Sequence, residues 1–142
     1  MNTIVLDVKT DNGHLLYDSE IPEVEKLKNE RIKYDTQTLK SFKEEFNIYL
    51  IGRVVAFQDP VFARIYPESA IIDISTSKPY YQDGQYFLDP SDSISREYIL
   101  NIALEACLLG FDEVQFDYIR YPDTTYRGLV YDEESNFENR TK

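Results

Sequence analysis

The sequence predicts an α/β fold with parallel strands, and three observations carry that prediction. Three strongly apolar runs, 3–9, 48–57 and 112–120, are separated by stretches with helical periodicity, and such alternation of strand and helix marks βα units. The first two runs are predominantly apolar, as strands are when helices cover a parallel sheet. Each run carries charge in its C-terminal half, at Asp7 and Lys9, at Arg53, and at Asp117 and Arg120, toward the end where parallel α/β proteins place their function. At 142 residues the chain fits one domain, 1–142, long enough to bury most of its unfolded surface.

Thr3–Lys9 opens the chain as a short strand in which Ile4, Leu6 and Val8 alternate with Thr3, Val5, Asp7 and Lys9. Asp11-Asn12-Gly13 signals a turn, and a long polar loop runs to about Tyr34, with a helical turn near Val24–Asn29. His14, the only histidine, lies in that loop and reads as a hydrogen-bonding residue rather than a catalyst. Asp35 or Thr36 caps a helix to about Phe46 whose stripe of Leu39, Phe42 and Phe46 is expected in the core. The next strand, Ile48–Phe57, carries one charge, Arg53, which needs an acceptor if buried; Asp7 or Asp117 would supply it from a neighbouring strand.

Gln58-Asp59-Pro60 ends that strand, and a short helix, Val61–Tyr66, follows. Ala70–Asp73 and Tyr86–Pro90 read as two extended segments of a small hairpin excursion around the Asp83-Gly84 turn signal. Tyr80, Tyr81, Tyr86 and Phe87 crowd this region beside carboxylates, as in a sugar-binding cleft, although a packed loop excursion is the simpler reading of these residues alone. Ser91 or Asp92 caps a helix from Ser93 to Leu109 with apolar Ile99, Ile102, Ala103, Ala106, Leu108 and Leu109, stopped by Gly110. Cys107, the only cysteine, falls within this pattern and is expected as a small buried residue. After Pro122 the chain turns polar and acidic, and 123–142 reads as a tail and a candidate for disorder.

The stretch Gly110–Pro122, GFDEVQFDYIRYP, holds the sharpest functional signal. Alternation puts Val114, Phe116 and Tyr118 on one face and Glu113, Gln115, Asp117 and Ile119 on the other. A carboxylate near the C-terminal end of a covered strand is costly unless paired or used, which singles out Asp117.

Composition narrows the partners. A net charge of -11 repels phosphate backbones and anionic lipid, so nucleic acid is not expected. No apolar run approaches the ~20 residues a membrane span needs, and no basic-then-apolar leader precedes the first strand; localisation stays open. One cysteine allows neither an intrachain disulfide nor a cysteine-based zinc cluster. Phosphate-cradling glycine loops, HExxH and nucleophile-elbow patterns are absent, so no metal or cofactor is expected.

VLDVKTDNGHLLYDS (5–19), IYLIGRVVAFQDP (48–60), FLDPSD (87–92) and GFDEVQFDYIRYP (110–122) together resemble a glycoside-hydrolase-like domain family of unassigned activity, related to the glycosidase (β/α)8 barrels. The resemblance covers nearly the whole chain. It implies a partial TIM-type barrel of about three parallel strands, with a further strand before Thr3 and more βα units after Lys142. Asp7, Lys9, Arg53, Gln115 and Asp117 would then face one mouth. It also implies a polysaccharide or oligosaccharide substrate. Retaining glycosidases need two carboxyls about 5–5.5 Å apart and inverting ones about 6.5–9.5 Å. Asp117 is the candidate nucleophile or base, kept ionised by Arg53, and Asp7 is the inward-facing candidate for the second carboxyl. Asp59, Asp73 and Asp89 are loop candidates for it, and Tyr118, Arg120, Asp59, Asp89 and Tyr81 are candidate substrate-binding residues.

Three functions remain open at this stage. The first is a segment of a glycoside hydrolase, inactive alone. The second is a non-catalytic carbohydrate-binding or degenerate domain using the aromatics of 80–87. The third is a truncated product without independent function, or a half-barrel that self-associates through its uncovered strand edges.

Overall fold

The structure, a computed structural model, describes residues 2–26 and 32–132. In chain order its elements are β1 (Asn2–Lys9), α1 (Pro22–Lys26), α2 (Thr36–Phe46), β2 (Ile48–Val55), α3 (Pro60–Ile65), a 3-10 turn (Pro67–Ser69), β3 (Ile72–Asp73), β4 (Lys78–Pro79), β5 (Tyr81–Gln82), β6 (Gln85–Tyr86), α4 (Ser93–Leu108), β7 (Glu113–Asp117) and β8 (Leu129–Val130). Part of the helical turn expected at Val24–Asn29 and the acidic end of the tail lie outside the described residues.

The expected parallel sheet is present, in the order β1-β2-β7. Its two faces differ sharply. Val8, Leu50 and Val54 are buried and join Ile99, Ile102 and Ala106 of α4 and Phe111 in one core. The opposite face carries Val5, Glu113 and Gln115, all exposed, with Asp7, Arg53 and Asp117 half-buried beside them. Helices therefore cover one side only among the described residues.

Gly52 sits where that core is tightest. A Cβ there would stand 2.8 Å from Val8 Cγ2 and 3.0 Å from Phe111 Cδ1. Gly52→Ala is expected to destabilise the fold by about 1–3 kcal/mol through overpacking, read as a lower urea midpoint at unchanged slope.

Capping settles the alternatives that the sequence leaves. Asp35 caps α2 by accepting from Thr38 N (2.7 Å), and Asp92 caps α4 by accepting from Ser95 N (2.8 Å). Asp59 caps α3, accepting from Val61 N (3.0 Å) and Phe62 N (2.8 Å), with Pro60 at the first helical position.

Several expectations are corrected. Phe42 and Phe46 do not enter the core: their rings pair 4.8 Å apart on the outer side of α2, and both are exposed. Cys107 is exposed, and Leu108 is 81% exposed, because α4 is apolar on both sides and only the side of Ile99, Ile102 and Ala106 meets the sheet. The Asp83-Gly84 turn is present, both residues at positive φ (52° and 87°), but it joins β5 to β6. Ile72–Asp73 pairs instead with β4 and β8, and Ala70 meets Leu88 through a single bridge.

The first part of the expected tail is also ordered structure. Leu129–Val130 pairs with β3, and Asp132 N donates to the Asp89 carboxylate. Between β7 and β8 the chain is strapped to the excursion: Tyr126 OH donates to Asp73 Oδ1 (2.7 Å), Tyr80 OH to Thr124 Oγ1 (3.2 Å) and Ile74 N to Gly128 O (2.8 Å).

Candidate functional site

Register builds the site. Asp7 lies opposite Arg53 across β1 and β2, Arg53 lies opposite Gln115 across β2 and β7, and Val55 lies opposite Asp117. Period-2 alternation then places Asp7, Arg53 and Asp117 on the face away from the helices, near the C-terminal ends of the parallel strands. The Arg53 guanidinium grips both carboxylates. Its Nε and Nη2 donate to Asp117 Oδ2 (3.0 and 2.7 Å), and its Nη1 donates to Asp7 Oδ1 (2.9 Å). The other Asp117 oxygen accepts from the N–H of Tyr118 (2.8 Å).

That last bond has a backbone cost. Tyr118 has φ +53°, a region a bulky side chain seldom adopts. With Tyr118 in this left-handed conformation its N–H donates to the carboxylate, while Asp117 O and Tyr118 O still accept from Ala56 N and Phe57 N. Strain of this kind concentrates where a side chain must be aimed.

Electrostatics follow from the geometry. The Arg53 hydrogen bonds hold the Asp117 carboxyl below the usual aspartate range, against a smaller opposing effect of desolvation, with the Tyr118 N–H and the charge of Arg120 assisting. Arg53 is in turn held more firmly protonated by Asp7 and Asp117. The side chains of Asp117 and Arg53 are 41% and 28% exposed, so water screens the trio and each ion pair contributes less than a buried one would.

The remaining candidates separate. Gln115 is exposed beside Arg53, and Arg120 lies over the Tyr118 ring, 5.5 Å from its centroid. Lys9 leaves the group: a register shift between Asp7 and Lys9 breaks the alternation and buries Lys9 completely. Its Nζ contacts Asp59 Oδ2 (3.0 Å) and donates to Val55 O (2.6 Å) and Ala56 O (3.2 Å). Burial pulls the Lys9 ammonium below its ordinary value and Asp59 opposes that pull. Asp59 is thus engaged by Lys9 and the α3 cap. Asp89 is likewise buried and bonded, accepting from Ser91 N (2.8 Å), Ser91 Oγ and Asp132 N.

Tyr81 lines a separate cleft of 480 Å³, with Arg64, Asp73, Lys78 and Tyr86. Sequence reasoning passed over two features. Gln58, buried just after β2, faces a 300 Å³ recess with Gln85, Phe87 and Arg120. Arg64 and Lys78 flank the aromatic cleft, and no periodicity or motif marks either one.

The fold and this trio define the class: an α/β domain whose parallel three-stranded sheet presents a charged cluster near the C-terminal ends of its strands. The chain belongs to the family whose model, described as "putative glycosyl hydrolase domain", matches residues 1–142. It is similar to the crystal structure of a hypothetical protein from Ruminiclostridium thermocellum ATCC 27405, at 37% identity and a TM-score of 0.81 over 87% of this chain. It spans 65% of the length of that chain. It also shares fold with a Flavobacterium johnsoniae chitobiase, at 17% identity and a TM-score of 0.57, covering 82% of this chain and 18% of the other. No curated protein matches.

Proposed function

We propose that the chain forms a sector of a TIM-type barrel that acts on a polysaccharide or oligosaccharide, with Asp117 at the reacting centre. The observation that carries this reading is the Arg53 guanidinium fixing Asp117 at the strand ends, on the face without helices. In a (β/α)8 barrel that face is the interior and that end is the mouth. The fold shared with a chitobiase and the family membership support the same placement.

The chemistry then divides by protonation. A general acid must hold its proton near working pH, and Arg53 works against that in Asp117. Asp117 therefore suits the ionised roles: nucleophile, base, or stabiliser of positive charge developing at the sugar ring. Asp7 lies across the guanidinium from Asp117, so the cation stands between the two carboxylates. Asp7 serves best as the counter-brace that holds Arg53, and the acid comes from another carboxyl at the mouth.

Asp117→Asn is expected to lower glycan turnover by about 10²–10⁴-fold in the full-length protein, with the far-UV circular dichroism unchanged and the thermal midpoint lowered by only about a few degrees. Undiminished turnover in that variant would remove Asp117 from the chemistry.

A further inference from the structure

The 480 Å³ cleft beside the excursion lies within the size range of small-molecule sites. Sheet register builds it from two cross-strand pairs: Tyr81 opposite Tyr86 across the Asp83-Gly84 hairpin, and Asp73 opposite Lys78 across β3 and β4. The Tyr81 and Tyr86 rings are 5.0 Å apart and inclined, and Tyr81 leaves 58% of its surface to solvent. Arg64, from α3, lies over the Tyr86 ring at 5.7 Å, which orients its guanidinium beside the aromatic surface.

Charge supplies the second line of argument. The chain carries a net charge of -11, yet two cations, Arg64 and Lys78, flank this cleft, and neither has a carboxylate within ion-pair distance among the described residues. The single carboxylate in the lining, Asp73, turns Oδ1 to Ser75 N (2.9 Å), Ser75 Oγ (2.7 Å) and Tyr126 OH (2.7 Å). Its Oδ2 accepts no hydrogen bond among the described residues and is free to take a hydroxyl.

An exposed tyrosine face suits the apolar face of a sugar ring, a fixed carboxylate oxygen suits a hydroxyl, and two unpaired cations suit an acid group on that ring. We infer that this cleft is a binding subsite for an anionic saccharide, one bearing a carboxylate or sulfate group, apart from the Asp117 mouth. The inference rests on the glycan reading above and adds a ligand class to it.

Calorimetric titration of the protein with a tetragalacturonate, its methyl ester and a sulfated galactan tetrasaccharide tests it. The acid form is expected to bind at least ten-fold more tightly than its neutral ester. The Arg64→Gln/Lys78→Gln double variant should erase that preference, and Tyr81→Ala should weaken both forms. All three side chains are exposed and outside the core, so these variants keep the fold. Preferential binding of the sulfated probe, lost in the same double variant, equally supports the cleft and assigns it to sulfate. Equal binding of acid and ester, acid binding indifferent to the double variant, or no binding of any probe would overturn the inference. Glycan turnover that still depends on Asp117 in those cases would leave the mouth reading standing.

Discussion

Asp59→Ala is expected to cost about 3–5 kcal/mol of stability, the usual penalty for stranding a buried charge. Lys9 is fully buried, and its counter-ion 3.0 Å away is Asp59. Without it, Nζ keeps only the carbonyls of Val55 and Ala56, in a site that already disfavours its charged form. The substitution also removes the α3 cap, worth about 1 kcal/mol. Against a typical domain stability of about 5–15 kcal/mol this is a severe loss. Urea unfolding measures it directly.

The pH dependence gives a second signature. The unfolded chain holds the Lys9 proton more tightly than the fold does, so stability of the Asp59→Ala variant should climb as pH rises from 7 toward the ordinary lysine range. Lys9→Met added to Asp59→Ala should restore a large part of the loss by removing the stranded charge. A single variant within about 1 kcal/mol of the parent would show that the pair is not the anchor described.

Arg53→Met is the second change expected to affect the proposed activity strongly, after Asp117→Asn. It removes every Arg53 bond that aims Asp117 Oδ2 and leaves Asp7 and Asp117 without the cation between them. Turnover by the full-length protein should fall by about 10²–10³-fold, as expected when charge preorganisation is lost. Arg53→Lys, which keeps the charge but not the planar fork, should recover only part.

The cost to stability should be smaller, about 1–2 kcal/mol, since the trio is partly solvated. Its pH dependence has a definite sign. A carboxyl depressed in the fold contributes stability that is complete above its unfolded value of about 3.9 and lost as pH falls through the folded value. The parent should therefore show this contribution fading in acid, and Arg53→Met should show less of it, because only the Tyr118 N–H and Arg120 then hold the carboxyl down. Turnover in Arg53→Met within a few-fold of the parent would detach Arg53 from the site.

The parallel core was legible because its cause is local. Alternation along 3–9, 48–57 and 112–120 names the strands, although β7 ends at Asp117, and one guanidinium among apolar neighbours demands the carboxylates it meets at Asp7 and Asp117. Lys9 was misplaced because one irregularity after Asp7 reverses the side-chain phase, and nothing in VLDVK announces it. Cys107, Phe42 and Phe46 show the converse problem: apolar residues at helical spacing mark a stripe without saying which stripe faces the sheet. The cation pair of Arg64 and Lys78 depends on the pairing of two-residue strands, too short for any period to register.

The strap between β7 and β8 has a mechanical consequence. Tyr126 ties it to Asp73 in the aromatic cleft, Tyr80 ties to its Thr124, and its first residue follows Asp117 directly. The tyrosine platform and the acidic centre are thereby held at one spacing, like two marks on a ruler. A glycan that engages both would be measured by its own length, and shorter chains would reach one mark or the other.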